Sequence, residues 1–180
     1  DRLPIAIAPT IVHNNALHTD WTSVVTPSDH VVILGNPPFI GQYTKTAKQT
    51  ADTKAIWGAR YNGYLDYVTC WYAKAIAYAK HATGIRVAFV STNSITQGEQ
   101  VGVLWGWLLG QGVHIHFAHR TFAWSNEASG KAAVHCVIIG FGLQERPGKL
   151  IYEYDDIKGE PHAVPAANIN PYLVDAPDVV

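Results

Sequence analysis

Val31-Val32-Ile33-Leu34 is a continuous apolar run that stops at Gly35-Asn36 and at once meets two prolines, Pro37-Pro38. A short apolar run bounded in this way reads as a strand buried on both faces, as in parallel sheets covered by helices. Two adjacent prolines admit neither further ladder bonds nor a helix. Each fixes its own φ and pushes the residue before it toward extended conformations. The chain is thereby committed to a short strand that ends in a stiff loop.

The segments that follow obey the same pattern. Leu65, Val68, Tyr72, Ala75, Ile76 and Ala79 recur at helical spacing between residues 64 and 80, and Val87-Ala88-Phe89-Val90 is a second buried strand. Val101, Leu104, Trp105, Leu108 and Leu109 trace one face of a helix. Thr96 and Glu99 are spaced as its capping box, and Gly110 or Gly112 as its stop. Val113, Ile115 and Phe117 then alternate with His114, His116 and Ala118, and residues 134–141 form a further strand. This alternation predicts an α/β domain with a largely parallel sheet, and the polar, helix-free link between the last two strands predicts an antiparallel pair. From Glu145 onward, Pro147, Gly148, Gly159, Pro161, Pro165, Pro171 and Pro177 predict a mostly looped tail with one short strand over 150–154. The expected division is a domain over 1–145 and a loop-rich extension over 146–180.

With 180 residues, 48% of them hydrophobic, the chain can bury a sizeable single core, and 15% charged residues exclude a disordered one. Thirteen basic residues against fourteen acidic give a net charge of -1. That excludes a strongly basic, self-sufficient nucleic-acid binder, though not a module that grips DNA together with neighbouring domains. No apolar run reaches the roughly 18 residues that span a bilayer, and no signal-peptide pattern is read at the start, so no membrane partner is expected. Cys70 and Cys136 allow at most one bridge, which favours a reducing cytoplasm. A chain that starts at Asp1 and contains no methionine is expected to be a piece of a larger protein.

The chemistry is expected at the proline loop, because open α/β sheets bind ligands beyond the carboxyl ends of their strands. The loop holds the Asn36 amide and the Pro37 carbonyl in one orientation with the Phe39 ring beside them. Two acceptors and a flat apolar surface suit a planar heterocycle or an amide that bears an NH₂ group. The alternative is a rigid proline turn that caps the strand, with Phe39 filling core.

Asn36-Pro37-Pro38-Phe39 after an apolar strand resembles the fourth motif of amino-methyltransferases that use S-adenosylmethionine to modify adenine N6, or less often cytosine N4, in DNA. The longer string 34–41, LGNPPFIG, resembles the MmeI-type restriction–modification enzymes. So do residues 89–101, FVSTNSITQGEQV, and 119–135, from His119-Arg120-Thr121-Phe122-Ala123-Trp124 through Gly130-Lys131 to His135. The resemblance covers most of residues 11–142. It implies a partial class I, Rossmann-like methyltransferase sheet, mostly parallel with an antiparallel strand near the end. It further implies a bacterial, cytoplasmic enzyme that acts on double-stranded DNA with a flipped adenine.

On this resemblance Asn36, Pro37, Pro38 and Phe39 are the catalytic loop, with Phe39 stacked on the base; asparagine at the first position favours adenine, since the cytosine enzymes more often carry serine. Residues 11–17, IVHNNAL, are similar to the third motif, which places Asn15 and Ala16 at the adenine of the cofactor, in place of the more usual acidic residue. The bland alternative is a turn after a short strand. Phe122 and Trp124, on a polar loop between the last two strands, are implied as a second aromatic surface for the base. Arg120, Lys131, Lys45 and Lys48 are implied as phosphate contacts or, more simply, solvated charges.

No Phe-x-Gly-x-Gly segment occurs, so most of the S-adenosylmethionine site is expected outside these residues, as is the target-recognition region. The isolated chain is therefore expected to be inactive. Three alternatives stay open. Enzymes that methylate a protein glutamine use a similar Asn-Pro-Pro-Tyr loop, because a carboxamide NH₂ poses the same problem. A non-catalytic DNA-binding scaffold is the second. The third, a metal site at His114, His116 and His119, lacks an interleaved carboxylate or a cysteine pair, and none is assigned.

Overall fold

The computed structural model describes residues 9–124 and 134–180. Six strands form one sheet in the order β1-β2-β4-β3-β5-β6: β1 Val32–Gly35, β2 Arg86–Thr92, β3 His114–Trp124, β4 Val134–Gly142, β5 Lys149–Glu153 and β6 His162–Ala166. The pairs β1/β2 and β3/β5 are parallel, whereas β4 runs antiparallel between β2 and β3, and β6 antiparallel to β5. Four strands thus run one way, as in a partial Rossmann-like methyltransferase sheet. Helices α1 Trp21–Val24, α2 Ala47–Trp57, α3 Thr69–Ala79 and α4 Glu99–Gly110 accompany it. Among the described residues no helix is long and apolar enough to cross a membrane.

One face of the sheet holds the core. Tyr72 of α3 stacks on Phe141 of β4 (ring centroids 5.1 Å apart) and meets Phe89 of β2 edge-on at 5.3 Å, with Trp105 of α4 at 6.2 Å. The polar tips of these rings are satisfied: the Tyr72 hydroxyl bonds Ser91 Oγ, and Trp105 Nε1 donates to the Ile95 carbonyl. Fully buried aromatic rings with partnered polar atoms dominate such a core. Leu65, Val68, Tyr72, Ala75, Ile76 and Ala79, the periodic set, are all buried. Cys70 and Cys136 are buried and free, and burial pushes both thiols up to about 11.

Several local expectations change. The helix read over 64–80 begins only at Thr69, because residues 65–71 enter it through three-residue turns closed by Leu65 N–H to Asn62 O and Thr69 N–H to Asp66 O. The capping box lies not at Thr96/Glu99 but at Thr46/Gln49, at the start of α2, where both reciprocal bonds are made. Thr96 sits in a 3-10 turn, Asn93–Thr96, its hydroxyl donating to the Asn93 carbonyl, and α4 is preceded by Gly98 at its cap position, whose φ of 59° suits glycine. Helix α2 escapes an apolar-period reading because Asp52 and Thr53 join Trp57 on its buried face.

Strand β1 is not buried on both faces: Leu34 is 74% exposed. It pairs with β2 alone among the described residues, and Val32 and Leu34 are exposed on its outer face. In β3 a register shift between Ile115 and Phe117 breaks the expected alternation, so that Ala118 is buried and the Phe117 ring lies over Gly140. A Cβ at Gly140 would come within 2.0 Å of that ring. In the segment after Glu145 the expected short strand is β5, and a second strand not expected there, β6, joins it in the same sheet. Pro165 is tolerated there because β6 is an edge strand.

Candidate functional site

Strand direction brings the site residues to one end of the sheet. β1 and β2 run parallel and end at Gly35 and Thr92; β2 pairs Thr92 with Cys136, and β4 pairs Val134 with Trp124. The loop after β1, the turn after β2, the end of β3 and the start of β4 therefore share one rim. At about 4.8 Å per strand, β1 and β3 stand roughly 14 Å apart across it.

Gly35 lets β1 approach β2 closely, since a Cβ there would sit 3.1 Å from the Phe89 ring. Asn36 then emerges exposed, Pro37 is buried beneath it, Pro38 is exposed and Phe39 is half-buried. Among the described residues no hydrogen bond within the chain engages the Asn36 side chain or the Pro37 carbonyl. The loop is held from its far side. Ile40 N–H donates to the Pro38 carbonyl at 3.1 Å, Tyr67 N–H to the Ile40 carbonyl at 2.9 Å, and Gln42 N–H to Asp66 Oδ1 at 2.7 Å. A fixed loop whose acceptors find no partner among the described residues is a site suited to hydrogen bonds from a ligand.

Asn15 and Ala16 lie at a turn, residues 9–13 before it form no strand, and their polar groups are largely engaged. Asn15 Oδ1 accepts from Leu17 N–H at 3.0 Å, while Nδ2 donates to Asp52 Oδ2 at 3.3 Å; the Ala16 carbonyl accepts from Trp21 Nε1 at 2.9 Å. One Asn15 amide hydrogen remains uncommitted among the described residues. Asp52, buried on α2, also accepts from the Tyr67 hydroxyl at 2.7 Å and lies 2.7 Å from His18 Nε2. Burial alone would raise the Asp52 carboxyl, but hydrogen bonds from Tyr67, His18 and Asn15 outweigh it and hold the group below the usual carboxylate range. No apolar period flags Asp52; an acid inside a weakly amphipathic stretch was the one available signal.

Phe122 and Trp124 sit within β3 itself rather than on a loop beyond it. Phe122 stacks with Tyr154 at 5.5 Å and lies 6.2 Å from Trp124, which is 39% exposed. His119 stacks on Tyr152 at 4.2 Å and bonds the Tyr154 hydroxyl, and burial lowers its basicity. His114 faces Glu145 at 2.7 Å and His116 the Gln144 carbonyl at 2.8 Å, so the three histidines take different partners. Arg120 pairs with Glu153 at 3.0 Å, both about half exposed. Such a pair contributes roughly 0–1 kcal/mol, so a phosphate can exchange with it. Lys45 turns inward to the Leu65 carbonyl, whereas Lys48 is exposed. Lys131 lies outside the described residues.

A family model described as MmeI, DNA-methyltransferase domain, matches residues 1–153. The chain is 39% identical over 182 residues to DNA methyltransferase A of Bacillus subtilis (strain 168), covering 99% of this chain and 20% of that protein. It superposes with a TM-score of 0.92 and 53% identity on the Type IIL restriction-modification enzyme MmeI, solved in complex with DNA, covering 99% of this chain and 24% of that one. The chain thus spans about a fifth to a quarter of the relatives it matches.

Proposed function

The chain belongs to the MmeI DNA-methyltransferase domain family, and from that premise we propose that it carries the target-base pocket of an S-adenosylmethionine-dependent DNA adenine N6-methyltransferase. The observation that carries this reading is the exposed Asn36 carboxamide at the carboxyl end of β1, without a partner among the described residues and with Phe39 half-buried beside it. Adenine's exocyclic amine is a poor nucleophile because its lone pair is delocalised into the ring. Asn36 Oδ1 and the Pro37 carbonyl each accept one of its hydrogens, which favours the more tetrahedral, nucleophilic nitrogen of the transition state. Because the loop is already fixed, little reorganisation is needed at the moment of reaction. The base reaches this rim only when flipped out of the duplex, and there Phe39 offers it a stacking face. Phe122 and Trp124 offer a second one.

Bound S-adenosylmethionine supplies an electrophilic methyl group. Its adenine presents ring-nitrogen acceptors, which fit the uncommitted N–H of Asn15, with the small Ala16 side chain beside it. The remaining cofactor contacts, and a target-recognition region, are assigned to parts of the parent outside residues 1–180. A cleft of about 350 Å³ along β1, lined by Val12, Ala16, Ile33 and Leu34, is the surface assigned to such a neighbouring segment. Arg120 and Lys48 are assigned to phosphates.

Full-length protein incubated with S-adenosylmethionine and mixed-sequence DNA should yield N6-methyladenine on nucleoside analysis. N4-methylcytosine would replace the base assigned. Unmodified DNA together with a methylated protein glutamine would move the reading to a glutamine N5-methyltransferase.

A further inference from the structure

Asp66 is buried, 5% exposed, in the turn that leads into α3, and the reading above gives it no part in the chemistry. Its Oδ1 accepts from Gln42 N–H at 2.7 Å, in the loop that continues from Asn36–Phe39. Its Oδ2 accepts from Ser94 Oγ at 2.6 Å and from Gln100 Nε2 at 3.1 Å, in the turn after β2 and the first turn of α4. The Asp66 N–H in turn donates to Gln100 Oε1 at 2.8 Å. On either side, Lys45 Nζ donates to the Leu65 carbonyl and Tyr67 N–H to the Ile40 carbonyl.

A carboxylate is the one side chain that offers enough acceptor sites to gather donors from three separate segments, and its hydrogen bonds are stronger than neutral ones. Here the segments are the loops that follow two adjacent parallel strands, β1 and β2, together with the helix after the second. Their spacing determines where Asn36, Pro37 and Phe39 stand relative to the rest of the rim.

We propose that Asp66 is a positioning residue for methyl transfer: it locks the Asn36–Phe39 loop against the turn after β2 and touches neither base nor cofactor. The proposal rests on the reading of Asn36–Phe39 as the target-base pocket. Displacement of a reacting group by about 1 Å costs on the order of 10² in rate, so loosening this clamp acts on the chemical step. In Asp66→Asn an NH₂ faces the Gln100 amide, and two donors meet where a donor met an acceptor.

The test is single-turnover methyl transfer by the full-length protein, which separates the rate constant from the fraction of competent enzyme. Asp66→Asn should lower the rate constant roughly 10- to 100-fold at unchanged amplitude, with S-adenosylmethionine and DNA affinities within about twofold of wild type. Ser94→Ala, a milder change that keeps the fold accessible, should lower it roughly 3- to 10-fold. A wild-type rate constant in both variants, or a fall in amplitude alone, overturns the proposal and leaves Asp66 a purely structural residue. Asn36→Ala is run alongside. If it transfers at the wild-type rate, the base-pocket reading fails and takes this proposal with it; if it is slow while Asp66→Asn and Ser94→Ala are not, only the positioning role is lost.

Discussion

At Asn36 the backbone leaves a short apolar strand and enters two prolines, and no partner inside the chain claims the side chain among the described residues. Orientation is imposed from below, by buried Pro37 and by the bonds that anchor Ile40 and Gln42 to residues 66 and 67. Asp52 plays a comparable part around Asn15. Its folded pKa is depressed below the unfolded value of about 3.9, so its contribution to stability is complete above that pH and is lost as pH falls through the folded pKa. Asp52→Asn should therefore lower Tm throughout pH 5 to 8. The two melting curves should begin to converge only below about pH 4, as pH falls through the depressed folded pKa, and a margin undiminished at still lower pH would contradict the assignment.

Helix α2 illustrates what an element needs beyond apolar periodicity. Its capping box is made by Thr46 and Gln49, so Thr46→Ala should cost about 1 kcal/mol in urea denaturation, whereas Thr96→Ala should not act through a helix cap. Equal cap-like losses at both positions would contradict the element boundaries. The elements legible from sequence were those with strong apolar patterns: Val101, Leu104, Trp105 and Leu108 of α4 are all buried, and β2 is a strand, although Val87 and Phe89 are buried while Ala88 and Val90 are only partly so, where burial on both faces was expected. The antiparallel β3/β4 pair was legible from its helix-free connection. What escaped the pattern depended on partners distant in sequence. Helix α2 buries polar residues, β3 changes face at a bulge to lay Phe117 on Gly140, and β6 runs through a proline that only an edge position permits. The Asn36–Phe39 loop was legible because prolines constrain locally; Asp66, whose partners lie 24 to 34 residues away, was not.

At the scale of the molecule, helices α3 and α4 cover one face of the sheet, while Val32 and Leu34 are exposed on the other and β1 pairs with β2 alone among the described residues. The net charge of -1 gives no overall attraction to DNA. Both features fit a piece that works within a larger protein, as its share of the relatives' length also does. Leu34→Glu should change the stability of the 180-residue chain by less than about 0.5 kcal/mol, because the side chain is already in water. In the full-length protein the same change should lower Tm and slow methyl transfer, as a charge forced under a covering segment does. Equal, small effects in both would argue that nothing covers this edge.

The central claim is that Asn36 holds the reacting amine. Its most direct measurement is the single-turnover rate of N6-methyladenine formation by full-length wild-type protein and by Asn36→Ala, with DNA affinity measured on the same samples. The account expects a rate constant lower by roughly 10²–10³ with affinity changed only a few-fold. A wild-type rate in Asn36→Ala would contradict it.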